Sequence, residues 1–313
     1  MRSGVINIYK ERGFTSHDVV AKLRGILKQK KIGHTGTLDP DAEGVLPVCL
    51  GRATKLCDLL TDRDKTYEAV LLLGQSTDTQ DITGTVTERA EVTVTEDEVK
   101  KAVLSFVGDY LQVPPMYSAL KVNGQKLCDL ARAGKEVTRV ARAVTIYQIE
   151  ILEMQLPRVR MLVSCSKGTY IRTLCHDIGE VLGCHGCMEK LLRTKAGAFL
   201  VEDSLTLSQV EELRDKEQLE NVIIPIDKVF DMLPKVQLLK ESAKLGHNGN
   251  PFSKEALTRP EILEGEVRVY DSEAEFIGIY LYQHKKGQYH PVKIFYDTSK
   301  KAPSNKKESR EQA

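Results

Sequence analysis

The part of the sequence best suited to chemistry is residues 33–55, GHTGTLDPDAEGVLPVCLGRATK. Three glycines and a proline surround Asp39, a composition that predicts a tight, exposed loop of the kind that commonly presents a reactive side chain. An isolated Asp-Pro pair is usually a structural Asx turn, but this motif is longer than such a turn requires. The pattern therefore makes Asp39 the first candidate for a reactive carboxylate.

The same stretch partly matches a calcium-binding loop. Asp39, Asp41, Glu43 and Gly44 stand at positions 1, 3, 5 and 6 of an EF-hand pattern. Position 12 is Leu50 in place of the bidentate glutamate, and no helix of suitable pattern leads into the loop. The spacing excludes an EF-hand.

A second group of possible ligands surrounds the segment Cys184 to Cys187. Cysteine and histidine are zinc ligands, and the segment contains His185 and follows Cys175 and His176. A single CxxC without a clean second pair is a weak zinc motif, so we expect no metal. The seven cysteines are scattered without a disulfide framework, and we interpret them as reduced thiols.

The elements that must position these residues mix strands and helices without regular alternation. This order favours an α+β fold with a largely antiparallel sheet, and the absence of GxGxxG and GxxxxGK[ST] motifs argues against a doubly wound nucleotide-binding fold. We predict strands at 4–9, 66–74, 86–94, 144–155 and 158–165, and helices capped by Ser16, by the box of Thr95 with Glu98 (through about Gly108), at 170–182, and at 207–213 after Thr206.

Composition is ordinary for a globular protein, with 41% hydrophobic residues, 28% charged residues and a net charge of +1. No apolar run approaches the ~20 residues of a membrane span. The amino terminus lacks the apolar region and cleavage site of a secretory signal. We therefore expect a cytoplasmic protein without membrane contacts.

Positive charge is concentrated in residues 113–147, which carry six basic and two acidic residues, a net +4 in 35 positions. Beyond it, residues 231–297 contain short strand candidates at 267–271 and 276–283, which predict a small all-β domain. The polar tail, residues 298–313, has the composition of a disordered segment.

The glycine-rich stretch resembles the signature motif of the TruB family of tRNA pseudouridine(55) synthases, in its bacterial form. The resemblance continues in order through KTYEAVLLLGQSTDTQDITG, VPPMYSALKVNGQKLCDLARAGKEV, CSKGTYIRTLCHDIG and LLRTKAGAF. It implies a pseudouridine synthase fold over residues 1–230, with 113–147 as an RNA-binding insertion, and a PUA-like RNA-binding domain at 231–297. The family isomerises uridine 55 in the T stem-loop of tRNA after base flipping, without cofactor, metal, guide RNA or protein partner, as a monomer.

The resemblance also implies roles for individual residues. Asp39 matches the nucleophile, Arg172 the arginine that pairs with it and lowers its pKa, and Tyr67 the tyrosine that stacks on the flipped base and is a candidate for proton transfer. His34 matches a histidine that occupies the space left by the extruded nucleotide. Further matches are expected to bind substrate: Tyr170 and Leu191 in the uracil pocket, Lys10 in the amino-terminal motif, and Lys121, Arg132, Arg139 and Arg142 at phosphates.

The sequence departs from the family pattern at two places. Glu11 replaces the proline of DKPxG, and Leu192 replaces the first arginine of LRR before Arg193. Two alternatives stay open: a guide-RNA-dependent, dyskerin-like synthase, and an RNA-binding protein that folds tRNA without catalysis. A hydrolytic N-glycosylase is a further alternative, which would release free uracil.

Overall fold

The computed structural model describes residues 1–122 and 124–297. The predicted disordered tail, 298–313, lies outside the described residues. The chain divides into two compact units. The first contains residues 6–49 and 56–220, and the second combines residues from 221 onward with 1–5 and 50–55. The second unit thus includes two short pieces from the amino-terminal region.

The first unit is built on a nine-stranded sheet. Its strands are β1 Gly4–Lys10, β2 Ile32–His34, β3 Glu43–Leu50, β4 Lys65–Leu73, β7 Gly108–Gln112, β10 Arg142–Gln155, β11 Arg158–Cys165, β12 Gly186–Ala196 and β13 Phe199–Leu200. Their order is β1-β3-β12-β4-β11-β10-β7, with β2 beside β3 and β13 beside β12. The central strand β4 pairs antiparallel with β11 and β12, and β10 pairs antiparallel with β11 and β7, whereas β12 runs parallel to β3. The predicted α+β class with a largely antiparallel sheet is confirmed.

Two small hairpins stand apart from this sheet. They pair β5 Gln75–Thr77 with β6 Val86–Arg89 and β8 Lys121–Val122 with β9 Gln125–Lys126. The strand predicted over 86–94 is therefore shorter than expected.

Seven α-helices occur in the described residues, and three of them, α1, α3 and α6 below, begin with a capping box. They are α1 Ser16–Leu27, α2 Cys57–Thr61, α3 Glu96–Leu104, α4 Leu127–Arg132, α5 Ile171–Val181, α6 Leu207–Asp215 and α7 Ala243–His247. The capping box of Thr95 and Glu98 and the cap by Thr206 are present.

Two helix boundaries differ from the prediction. Thr15, and not Ser16, caps α1, because the Thr15 hydroxyl accepts from the Asp18 amide at 3.0 Å. Helix α3 ends at Leu104 instead of near Gly108. Gly108 has a φ of +112°, which a helix cannot contain, and it begins strand β7.

Helix α5, which carries Arg172 in its first turn, packs against the sheet. Its apolar face, with Leu174 and Ile178 fully buried, packs in one core with Leu71 of β4 and Val163 of β11. Burial of such side chains stabilises the fold by roughly 1.5–3 kcal/mol each. This packing fixes the first turn of α5 relative to the sheet.

The second unit contains a four-stranded sheet in the order β14-β15-β16-β17. Its strands are β14 Lys235–Gln237, β15 Glu266–Tyr270, β16 Phe276–Gln283 and β17 Gln288–Ile294. Its own core includes Phe252, Tyr280 and Tyr289. A small β-rich carboxy-terminal unit, consistent with a PUA-like domain, is thus present.

No α-helix in the described part of the chain is long and apolar enough to span a membrane.

Candidate active site

The loop between β2 and β3, residues 35–42, presents Asp39, and hydrogen bonds fix it at both sides. The Ser16 hydroxyl accepts from the Leu38 amide at 2.9 Å. The Thr35 amide and hydroxyl both donate to the Pro47 carbonyl, at 3.1 and 3.2 Å. The residue predicted to cap α1 therefore holds the reactive loop instead.

Two buried cations support the same loop through its carbonyl groups. Arg193, 1% exposed, donates from Nε to the Val45 carbonyl at 2.7 Å and from Nη1 to the Thr37 carbonyl at 3.5 Å. Lys10, fully buried, donates from Nζ to the Pro40 carbonyl at 3.0 Å. Charged donors make stronger hydrogen bonds than neutral ones. Arg193 and Lys10 thus fix the backbone on either side of Asp39.

Gly44 allows β3 to approach β12 closely at the end of this loop. Its φ is +104°, and a Cβ there would lie 2.3 Å from the Arg193 carbonyl oxygen. Only glycine fits both the conformation and the contact. The glycine of the signature motif therefore has a steric explanation.

Asp39 and Arg172, 133 positions apart in the chain, form a two-pronged ion pair. Arg172 Nε lies 3.0 Å from Asp39 Oδ2, and Nη2 lies 3.3 Å from Oδ1. Arg172 is in the first turn of α5 and its side chain is 5% exposed, whereas that of Asp39 is 38% exposed. The guanidinium therefore orients a carboxylate that remains open to the adjoining cavity.

The remaining Arg172 donors contact three other groups. Nη2 donates to the Tyr117 carbonyl at 2.7 Å, and Nη1 donates to the Thr79 carbonyl at 3.1 Å. Nη1 also lies 3.5 Å from Asp81 Oδ2. Arg172 thus joins segments 79–81 and 117 to the loop of Asp39.

Burial raises the pKa of the Asp39 carboxyl, and the opposing effect of Arg172, which lowers it, is smaller. The negative charge of Asp81 also raises this pKa. Arg172 thus acts on the pKa of Asp39 in the expected direction, but burial outweighs it and the net pKa is raised. Removing a carboxylate from water disfavours its charged form, and one neighbouring cation does not offset this here. A partly desolvated carboxylate is a better nucleophile than a solvated one.

Asp39 faces a cavity of about 670 Å³. Six of the predicted site residues line it: Asp39, Tyr67, Arg172, Tyr170, Leu191 and Arg132. Burial raises the pKa of the Tyr67 hydroxyl, while Arg193 acts to lower it. Tyr67 is 9% exposed and therefore offers the cavity a protonated phenol at neutral pH.

The other expected residues lie outside this lining. His34 ends β2, and burial lowers the pKa of its imidazole. Lys10 donates to the Pro40 carbonyl and is not part of the cavity lining. Burial lowers the pKa of its ammonium to about 8. Arg139 donates to the Pro114 carbonyl at 3.1 Å, whereas Lys121 and Arg142 are exposed.

Among the described residues, no group of three possible metal ligands within reach of one another includes the thiol of Cys184 or Cys187, the two cysteines of the possible zinc motif. His185 Nδ1 instead lies 2.8 Å from Glu180 Oε1 and 3.6 Å from Glu88 Oε2.

Sequence reasoning missed the roles of Asp81, Arg193 and Ser16. Asp81 lies in the DTQDITG segment of the family resemblance, but the sequence does not indicate that it contacts Arg172. Arg193 is the arginine that remains in the changed LRR motif, and the motif does not indicate that it is buried. Its burial follows from the β12 register, in which Arg193 is opposite Tyr67 and Gly44.

Comparison with known proteins identifies relatives of the whole chain. The family model described as TruB family pseudouridylate synthase (N terminal domain) matches residues 24–171, and that of the tRNA pseudouridylate synthase B C-terminal domain matches 172–231. The tRNA pseudouridine synthase B of Lachnoclostridium phytofermentans is 57% identical, covering 94% of this chain and 99% of that protein. That of Alkaliphilus oremlandii is 47% identical, covering 93% and 97%.

Solved structures resemble the chain at lower identity. A chain of a Cbf5-Nop10-Gar1 complex superposes with a TM-score of 0.71 at 28% identity, covering 95% of this chain and 86% of that one. A chain of an H/ACA RNP bound to a substrate RNA containing 2'-deoxyuridine gives 0.70 at 26%, covering 94% and 85%. With the family models matching most of its length, this chain belongs to the TruB family of pseudouridylate synthases.

Proposed function

We propose that this protein isomerises uridine 55 in the T arm of tRNA to pseudouridine, with Asp39 as nucleophile and without a guide RNA. The observation that carries the proposal is the Arg172–Asp39 fork at the wall of a cavity of about 670 Å³. The name shared by its relatives supplies the substrate class.

The reaction requires the N1–C1′ bond to break and a C5–C1′ bond to form. N1 gains a proton and C5 loses one, so the product is an isomer of the substrate. The uridine must first leave its stack, which base flipping achieves. Asp39 then forms the covalent intermediate.

Other residues bind the flipped base and the RNA backbone. Tyr67 stacks on the flipped base and is placed for proton transfer, and Tyr170 and Leu191 complete the uracil pocket. His34 occupies the space left by the nucleotide. The exposed Lys121, Arg132 and Arg142 contact RNA phosphates, while Arg139, bonded to Pro114, holds the insertion 113–147.

The catalytic domain extends over residues 1–230, and the PUA-like domain, 231–297, adds RNA contacts. The protein acts as a monomer in the cytoplasm with tRNA as its partner, and Asp39 chemistry uses no cofactor.

The likeness to H/ACA complexes favours one competing function, a guide-dependent synthase. A T-arm stem-loop carrying tritium at C5 of the target uridine separates the two. Wild-type protein in metal-free buffer, without a guide RNA, is expected to release tritium, and Asp39→Asn is expected to release none while still binding the stem-loop. Asp58→Asn, an exposed carboxylate in α2 outside the cavity, is the matched control.

Tritium release by Asp39→Asn at the wild-type rate would refute the nucleophile assignment. Tight binding without release by the wild type would favour a guide-dependent enzyme or an RNA chaperone, and free uracil would indicate a glycosylase.

A further inference from the structure

The Ser118 hydroxyl is a buried polar group on the wall of the Asp39 cavity. Ser118 is 4% exposed and lines that cavity. Its Oγ has no partner with hydrogen-bond geometry among residues 1–122 and 124–297. Leaving a buried hydroxyl unpaired is energetically costly. An unpaired hydroxyl at a cavity wall therefore indicates a ligand that completes it.

The backbone places Ser118 close to the reacting carboxylate. The preceding carbonyl, that of Tyr117, accepts from Arg172 Nη2 at 2.7 Å. The same nitrogen donates to Asp39 Oδ1 at 3.3 Å. Cys128 donates its amide to the Ser118 carbonyl at 3.0 Å and fixes the other side of the residue. Ser118 is thus held next to the group that orients the nucleophile.

A second hydroxyl adjoins the first. A hydrogen bond from the Ser118 side chain to the Tyr170 phenolate would lower the pKa of that phenol, although burial raises the pKa overall. In the structure itself the two hydroxyls do not meet with hydrogen-bond geometry. Gln112, 1% exposed, fixes Tyr170 by accepting from its amide at 2.7 Å and donating to its carbonyl at 2.9 Å. The two hydroxyls therefore form one polar edge of the cavity.

We propose that Ser118 is a substrate-binding residue whose hydroxyl donates a hydrogen bond to a carbonyl oxygen, O2 or O4, of the flipped uracil. This inference rests on the proposed function. A flipped pyrimidine must satisfy its polar edge inside the protein, and a serine hydroxyl is a suitable donor to a carbonyl oxygen. Ser118 fits this task because its hydroxyl has no partner with hydrogen-bond geometry among the described residues.

A chemical double-mutant cycle tests the contact. Three T-arm stem-loops carry uridine, 2-thiouridine or 4-thiouridine at the target, each tritiated at C5, because sulfur accepts hydrogen bonds weakly. Single-turnover release is measured for the wild type, Ser118→Ala and Ser118→Thr. Ser105→Ala is the matched control, since its hydroxyl bonds the Ala102 carbonyl at the end of α3. Thermal melts check folding.

Ser118→Ala is expected to slow release from uridine about 10-fold, and Ser118→Thr to restore part of the rate. With one of the two thiouridines, the wild type and Ser118→Ala should react at nearly equal rates. Equal slowing on all three substrates, or no slowing on uridine, would overturn the proposal.

Failure of the proposed function is recognised separately, because it appears as absence of release by the wild type. In that case the same cycle is measured as equilibrium binding in the Asp39→Asn background. Equal losses of affinity for all three stem-loops, or no loss, would then refute the Ser118 contact.

Discussion

Arg172 contacts both oxygens of Asp39, with Nε 3.0 Å from Oδ2 and Nη2 3.3 Å from Oδ1. The same guanidinium donates to the carbonyls of Tyr117 and Thr79. A planar group with donors on three sides satisfies these contacts together, whereas an ammonium group cannot. The shape of the cation therefore matters here as much as its charge.

Arg172→Lys is accordingly expected to lower the single-turnover rate by roughly 100-fold or more, because charge-assisted hydrogen bonds contribute about 1.5–3 kcal/mol each. RNA affinity should change little, since the charge is retained. Tritium release and equilibrium binding measure the two effects. Arg160→Lys is the control, because Arg160 bonds Glu68 at 2.7 Å on an exposed strand face. Rates near wild type for Arg172→Lys would contradict the positioning role.

The pH dependence of the rate should report the raised pKa of Asp39. As the proposed nucleophile, Asp39 must be ionised, so the rate should fall as the pH is lowered through this pKa, which lies above the ~3.9 of an exposed aspartate. Asp81 raises the pKa of Asp39. Asp81→Asn should therefore move the acid limb of the profile to lower pH, besides lowering the maximal rate by loosening Arg172. An acid limb at the same pH in both proteins would contradict this account.

A second pH-dependent test uses Lys10, whose pKa is lowered, whereas that of Asp39 is raised. Burial lowers the pKa of its ammonium from the ordinary 10.5 to about 8. Between these values the unfolded chain binds more protons than the folded one, so wild-type stability gains from Lys10 as the pH rises from 8 to 10.5. Lys10→Met removes this dependence. The difference in Tm, variant minus wild type, should therefore be largest below pH 8 and should decrease as the pH rises above 8.

The same variant should react more slowly, because Pro40 loses the ammonium that donates to its carbonyl at 3.0 Å. Thermal melts from pH 7 to 10 and single-turnover rates check both parts. A Tm difference independent of pH would show that Lys10 is not desolvated.

Local signals predicted much of the fold. The capping boxes of α3 and α6 and the boundaries of β10, β11 and α5 follow from short-range patterns. The cap of α1 by Thr15 in place of Ser16 was predictable from Asp18, which forms a capping box with Thr15, whereas Val19 stands at the matching position after Ser16. The Ser16 hydroxyl accepts instead from the Leu38 amide, a contact that the local sequence does not contain.

The site was predictable where a motif names the residue, and less so where burial decides. Asp39 and Arg172 were paired correctly through the family pattern. The direction of the Asp39 pKa and the position of Lys10 depend on how many atoms surround each charge, which spacing along the chain does not contain. Ser118 became a candidate only through its unpaired hydroxyl.

The exposed basic residues of the insertion 113–147 should contribute to RNA affinity. Lys121 and Arg142 are exposed, so each is available for a phosphate, and Lys121→Ala or Arg142→Ala should weaken binding and lower the slope of log K against log salt by about one. Arg139→Ala should change the slope less, because its guanidinium bonds Pro114. Arg160→Ala, outside the insertion, controls for the loss of one surface charge. Binding titrations of the T-arm stem-loop at several salt concentrations give these slopes. Unchanged slopes for Lys121→Ala and Arg142→Ala would place the phosphate contacts elsewhere, since each released counterion must appear in the salt dependence.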